Sequence, residues 1–331
     1  MKIDPTLRAL ADPTRLRIMR LLAHMELAVG ELAQVLGQSQ PRVSRHVRIL
    51  CDAGLAERRK EGSWVFLRSA IGEDRAPPLG AAAARLLAVA ELDDAGFAGR
   101  CAEDRRHLAA IRAGREATAA AYFARYAGEW DTLRQLHTAD GPVEEALGAA
   151  LGSGSLGTLL DVGTGTGRMA ELFAPRAARV TAFDKSPEML RSARARLQHL
   201  PTGAVDLVQG DFTALPFAAE SFDTVLFHQV LHYALEPGVV LAEAARVARS
   251  GATLAIVDFA AHDREELRTS HAHARLGFSD EQMLDLLTTA GFAAAPPVAL
   301  PGRPLTVKIW TGRRASGPTL RPVQGARTVA P

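Results

Sequence analysis

The stretch LLDVGTGTGRMAELF, residues 159–173, decides the fold of this chain. Thr158 to Val162 is an apolar run of strand length that ends beside an acid, Asp161. Gly163, Gly165 and Gly167 alternate with threonines directly after it, and RMAELFA then opens a helix. A strand, a glycine turn and a helix N-terminus in that order let a ligand approach bare backbone. A dinucleotide fingerprint, GxGxxG, would need glycine at position 168, where Arg168 stands. The pattern D-x-G-x-G-x-G suits a ligand that lacks a pyrophosphate and carries a charged amino-acid tail.

The residues downstream repeat the theme. ARVTAFD (178–184) reads as a second strand ending in Asp184, 21 residues after Gly163, where a carboxylate can take both hydroxyls of a ribose. AVDLVQGDF (204–212) reads as a third strand ending in Asp211 and Phe212, where an acid can accept the amino group of adenine and a backbone N–H can meet its ring. SFDTVLFHQVLHY (221–233) reads as a fourth, with His228 and Gln229 on a polar rim. GATLAIVDF (251–259) is a fifth, and RPLTVKIWTGRR (303–314) is a late strand expected to run antiparallel. Strands alternating with helices imply a doubly wound α/β sheet with ligands at the strand ends.

This ordered set resembles the class I S-adenosylmethionine (SAM)-dependent methyltransferases, close to the small-molecule members that include quinone C-methyltransferases. The resemblance covers about residues 120–315 and implies a Rossmann-like fold with SAM, or S-adenosylhomocysteine (SAH), as ligand. It implies that Gly163, Gly165 and Gly167 pass under the methionine part and that Asp161 meets its amino group. Asp184 would bind ribose, Asp211 and Phe212 would hold adenine, and His228 would join them at the rim. Methyl transfer asks mostly for alignment, since the sulfonium is already a good leaving group. Candidates for a base are His228, His232, His271 and His273. Arsenite methyltransferases of this class need several cysteines, and this part has none. AYFARYAGEWD (121–131) resembles the helix that precedes many such cores and closes over the cofactor. Its Tyr122, Phe123, Tyr126 and Trp130 read as core residues rather than cofactor contacts.

The front of the chain is of another kind. DPTRLRIMRLLA (12–23) reads as a helix capped by Asp12, with Pro13 at its first position. VGELAQVLG (29–37) is a second helix, ending at Gly37. SQPRVSRHVRILCDAGL (39–55) is a third, with Ser39 at its cap, Val43, Val47 and Leu50 as its buried stripe and Gly54 as its stop. LAERRKEGSWVFLR (55–68) gives two strands around the turn Lys60-Glu61-Gly62-Ser63. Three helices and a hairpin make a winged helix-turn-helix. Gln40, Arg42, Ser44, Arg45 and Arg48 occupy the third helix away from its apolar stripe, where such helices read base edges. Arg58, Arg59 and Lys60 on the wing are placed for phosphates.

The segments LADPTRLRIMRLL, ELAVGELAQVLGQSQPRVSRHVRILCDAGL and RRKEGSWVFLR resemble the ArsR/SmtB family of bacterial repressors over about 65 residues. The resemblance implies double-stranded DNA as partner, a homodimer and a palindromic operator. Arsenic sensors of this family carry Cys-x-Cys where Ala28 and Gly30 stand here. Zinc-type members use Asp and His pairs on a later helix, and residues 76–99 hold no histidine, so no metal is expected.

The whole chain sets the frame. Its 331 residues suggest two domains at about 100–200 residues each. Residues 1–70 carry 12 Lys and Arg against 7 Asp and Glu, and the remainder carries 27 against 30, so the front is basic and suits an anionic partner. Ala81 to Ala90, the most apolar stretch, is interrupted by Arg85 and too short to span a membrane. Asp4, Arg8, Asp12, Arg15 and Arg17 break up any signal core, so a cytoplasmic protein is expected. Cys51 and Cys101 suggest neither a disulfide framework nor a metal site. The expected organisation is a winged helix in 1–75, a helical dimerisation and linker segment in 76–150, a methyltransferase domain in 151–315 and a disordered tail in 316–331. The expected function is a transcription regulator with a SAM-binding methyltransferase domain that methylates a small molecule or responds to SAM or SAH. Two alternatives stand beside it: a non-catalytic SAM or SAH sensor, and an enzyme whose winged helix serves only dimerisation.

Overall fold

The computed structural model describes residues 1–23, 25–61, 64–71, 77–130, 140–302 and 304–315. The wing tip Gly62-Ser63, Arg303 at the start of the late strand, and the tail 316–331 lie outside the described residues.

The first unit forms as its caps and stripes dictate. Asp12 accepts the Arg15 N–H at 3.0 Å and starts α2, Pro13–Leu22, with Pro13 at the first position. Gly37, at φ 63°, closes α3, Val29–Leu36, in a left-handed turn. Ser39 occupies the N-cap position of α4, Gln40–Asp52, without a side-chain cap bond. Val43, Val47 and Leu50 of α4 pack with Ile18, Leu32 and Leu67 in one apolar cluster. The wing is β2, Ala56–Glu61, paired antiparallel to β3, Trp64–Ser69. Two further elements, α1 at Ile3–Leu10 and the two-residue β1 at Leu27–Ala28, complete the unit. β1 pairs with β3, which places Leu27 opposite Leu67.

Two helices follow. α5 spans Pro78–Asp93, and Asp94 then caps α6 by accepting the Phe97 N–H at 2.9 Å. α6, Ala95–Tyr126, is a single helix of 32 residues, about 48 Å long at 1.5 Å per residue. Its first half packs on α2 and α3: Arg17 grips Asp104 and Arg115 reaches Glu31 at 2.6 Å. Its second half lies against the next unit. Arg112 pairs with Glu236, Glu116 with Lys185, and the Tyr122 hydroxyl stands 2.8 Å from His271 Nδ1.

The second unit is built on an eight-stranded sheet. Its parallel strands are β4 (Gly157–Val162), β5 (Ala177–Asp184), β6 (Val205–Gln209), β7 (Phe222–His228) and β8 (Ala248–Phe259). The remaining strands are β9 (Phe292–Ala294), β10 (Val298–Leu300) and β11 (Val307–Arg314). The order is β10-β11-β8-β7-β4-β5-β6, with β11 antiparallel to β8 and β9 paired to β11. The helices are α7 (Asp140–Ala150), α8 (Arg168–Phe173), α9 (Pro187–Leu197), α10 (Pro237–Val247), α11 (Glu266–Ser270) and α12 (Asp280–Thr289). Leu160, Val162 and Ile256 bury one face against α10 and α12; Leu159, Val180 and Val257 bury the other against α7, α8 and α9. β4 lies between β5 and β7, so the strand order reverses at its carboxyl end. Ligands of doubly wound sheets bind at that switch point.

The wing packs on this second unit through charges. Glu61 accepts Arg268 Nη2 and the Leu276 N–H, both at 2.7 Å. Glu26 accepts Arg275 Nη1 at 2.8 Å and Arg59 Nη2 at 3.1 Å. Trp64 and Phe66 lie under the guanidinium groups of Arg268 and Arg275, each 4.3 Å away. The Arg268 and Glu61 side chains are only 6% and 4% exposed, so this is a desolvated contact rather than a surface ion pair.

Candidate functional site

At the switch point the loop after β4 turns through Gly163 at φ 70°, Gly165 at φ 55° and Gly167 at φ 84°. A Cβ at Gly163 would overlap the Val230 side chain, and one at Gly165 would sit 3.5 Å from Trp130 Nε1. Bare backbone is therefore required at Gly163 by both conformation and space. The loop opens onto a cavity of about 820 Å³. Asp161, Gly163, Gly165, Asp184, Asp211, Phe212 and His228 all line it. Gly167 lies one turn behind, where a Cβ would press on Ala193 and Leu197 of α9.

The carboxylates have distinct surroundings. Asp184 accepts the Gly165 N–H and the Ser186 N–H, each at 2.8 Å. Burial raises its pKa above the ordinary value, against the pull of the backbone N–H groups of Ser186, Gly165 and Lys185. The helix cap after β5 is Ser186, whose hydroxyl accepts the Met189 N–H at 3.2 Å, so Asp184 is released from that task. For Asp211 burial works against ionisation, but the bonds from Lys185, at 2.7 Å, and from Thr213 win, and its carboxyl stays below the usual range. A carboxylate offers about four lone-pair sites. Asp184 spends two on backbone N–H groups, and Asp211 spends three on Lys185 and on the Thr213 amide and hydroxyl. Asp161, 1% exposed, takes the Thr164 hydroxyl at 2.6 Å. The cradle fits a ligand that brings an amino group, two adjacent hydroxyls and a flat base.

The four histidines separate. His228 and His273 line the cavity; His232 and His271 do not. His232 lies behind it, with Nδ1 2.7 Å from Asp258 Oδ1, both side chains almost wholly buried. Tyr233, on the wall, has a phenol pushed well above its usual pKa by burial and by Tyr122, so it stays protonated. Among the described residues three non-glycine positions have positive φ, and two of them, Gln229 and Ala272, line this cavity. Backbone strain of that kind collects where the surroundings impose it, at sites.

Sequence reading placed Phe123 and Trp130 in the core. They stand on the cavity wall instead, half-buried, with Trp130 over Gly165. Their apolar spacing marks a covered face but not what covers it. Sequence reading also missed Trp64, Arg112, Arg115 and Arg268, which reach the cavity from the wing, α6 and α11. No local pattern in the sequence brings these segments together.

On α4, Gln40, Arg42, Ser44, Arg45 and Arg48 are all exposed, while Val43, Val47 and Leu50 are buried beneath. Arg42, Arg45 and Arg48 have no acidic partner among the described residues. Arg58 and Lys60 are exposed on the wing. Arg59 departs from its expected place: it turns to Glu26 and Glu61 and lies over the Phe66 ring at 5.2 Å. Two acidic groups packed beside it hold the guanidinium more strongly than solvent does. Among the described residues no group of three or more His, Cys, Asp or Glu side chains could hold a metal ion. No described helix is long and apolar enough to cross a membrane.

Fold and site together define a winged helix-turn-helix joined to a methyltransferase fold. Residues 12–58 match the model of the bacterial regulatory protein arsR family, and residues 160–256 match that of a methyltransferase domain. The chain thus carries an ArsR-family DNA-binding domain at its N-terminus and a methyltransferase domain towards its C-terminus. It is 48% identical over 62 residues to the arsenical resistance operon repressor of Escherichia coli, which is 18% of this chain and 53% of that one. It is 38% identical over 117 residues to a demethylmenaquinone methyltransferase of Renibacterium salmoninarum, 35% of this chain and 46% of that one. The chain spans about half the length of the curated relatives it matches. A solved complex of the Haloferax volcanii Trm112 methyltransferase activator with a methyltransferase is similar in fold, with a TM-score of 0.51 and 21% identity over 58% of this chain and 97% of that one.

Proposed function

We propose that this chain is a DNA-binding regulator that holds SAM or SAH in the cavity at the end of β4, methylates a small molecule there, and changes its affinity for DNA with the state of that cavity. One observation carries the reading: the cavity lined by Gly163, Asp184 and Asp211 is also lined by Trp64 of the wing and by α6, which packs along the DNA-binding unit. A ligand that draws α6 or the wing inward therefore moves the helix that reads DNA. SAM would supply a methyl group on a sulfonium. The glycine loop would lie under its methionine part, Asp161 would take the amino group, Asp184 the ribose and Asp211 the base. His228 and His273 are the histidines on the wall, placed to receive a proton from an acceptor.

DNA binding is assigned to α4 through Gln40, Arg42, Ser44, Arg45 and Arg48, with phosphates met by Arg58 and Lys60. A homodimer is assigned to exposed apolar side chains on two helices that both pack on α2. They are Ile3 and Leu7 of α1, and Leu86, Val89 and Leu92 of α5, with Leu92 87% exposed. Methyl-labelled SAM incubated with a deproteinised cell extract tests turnover. Label in the small-molecule fraction, absent with Asp184→Ala, supports the enzyme. Failure to label, combined with a shift in DNA affinity on adding SAH, would leave a sensor.

A further inference from the structure

The cavity has two ends, joined by a run of rings. Trp130 stands over Gly165 at the cofactor end. Phe123 meets Trp130 edge-on, with ring centres 5.3 Å apart, and meets Tyr233 edge-on at 4.9 Å. Tyr233 in turn meets His273 edge-on at 5.3 Å. Beyond His273 the wall passes to Arg268, whose Nη1 bonds the Ala274 carbonyl, and Arg268 lies over Trp64. Trp64, from the wing strand β3, thus stands at the other end of this run of contacts from Trp130. The guanidinium groups that reach this end each have a carboxylate: Arg268 with Glu61, Arg115 with Glu31 and Arg112 with Glu236. Each is thus charge-paired, which weakens its pull on an anion, although Nε of Arg268 and of Arg112 are buried without a hydrogen-bond partner among the described residues and Glu61 is shared with Arg59 and Arg275.

We infer that this remote end is the methyl-acceptor subsite, that it takes a neutral, flat aromatic molecule, and that Trp64 of the DNA-binding unit is its specificity-determining wall. The inference rests on the cofactor reading above. Edge-to-face rings such as Phe123, Tyr233 and His273 complement a planar π-system better than a puckered ring. The charge-paired surroundings disfavour a carboxylate or phosphate, which would enter low-dielectric space beside guanidinium groups that already have carboxylate partners. The acceptor would then touch both units at once, whereas the cofactor residues all belong to the second.

Calorimetry on the full chain saturated with SAH tests this with three probes: 1-naphthol, its saturated counterpart decahydro-1-naphthol, and 1-naphthoate. The expected result is that 1-naphthol binds at least tenfold more tightly than either of the others. Trp64→Ala should abolish that preference while shifting SAH affinity less than twofold, and Trp64→Phe should retain it. Equal binding of the three probes, or a Trp64→Ala variant that keeps the preference, overturns the inference. SAH heat with no naphthol preference removes this inference alone. No SAH heat in the unaltered chain removes the cofactor reading and this inference with it.

Discussion

Asp184 stands where β5 ends, and its two oxygens take the N–H groups of Gly165 and Ser186. It therefore ties the glycine loop to the next strand while keeping lone pairs towards the cavity. Replacing it by alanine is expected to weaken SAH binding about tenfold to a hundredfold, since hydrogen bonds to a charged group contribute roughly 1.5–3 kcal/mol. Calorimetry on Asp184→Ala checks this, and unchanged affinity would remove the ribose assignment. Arg45 and Arg59 show how differently two arginines in one DNA-binding unit behave. Arg45→Ala should cost about 1–3 kcal/mol on a selected duplex and less on random DNA, because it faces outward from α4. Lys60→Ala should weaken binding on every sequence and flatten its salt dependence. Arg59→Ala should lower stability instead, since its guanidinium is engaged by Glu26 and Glu61.

Among the elements, the wing is the one whose role the structure changes. A hairpin that the sequence marks for phosphates is docked on the methyltransferase unit through Glu61, Arg268 and Arg275. Removing one partner of a buried pair leaves a desolvated charge, so Glu61→Ala is expected to destabilise the chain by about 3–5 kcal/mol, read by urea unfolding. His262 lines a second cavity, of about 440 Å³, beside Arg59 and Glu61. Burial, with some help from His232, lowers its pKa from 6.5 to about 4. A histidine depressed on folding contributes stability that is complete above its unfolded pKa and declines as pH falls from there towards the folded value. Melting temperatures measured between pH 7 and pH 4 should therefore fall less steeply for His262→Gln than for the unaltered chain. Most elements were legible because each carries its own signal: Asp12-Pro13 at a helix start, Gly37 at a helix end, apolar runs of strand length in the parallel strands. The two-residue β1 is too short to carry a period of its own.

The whole molecule was legible in its parts and not in their junction. Glycine spacing and strand-end acids pointed to Asp161, Asp184 and Asp211, and the structure gathers them around one cavity. Trp64, Arg115 and Arg268 were invisible there, because a cavity wall drawn from three distant segments leaves no spacing to read. That junction is the substance of the functional proposal. α6 touches α2 and α3 with one half and lines the cavity with the other, and Trp64 of the wing lines it too. If ligand and DNA each prefer one arrangement of these parts, the ligand changes DNA affinity and DNA changes ligand affinity by the same factor. The most direct test is a fluorescence-anisotropy titration of the full chain against a duplex selected from a random pool, alone and with saturating SAM or SAH. The account predicts that at least one ligand shifts the affinity by about fivefold or more, with an equal reciprocal shift in ligand affinity on adding the duplex. Identical duplex affinity in all three conditions would contradict it and leave two independent domains on one chain.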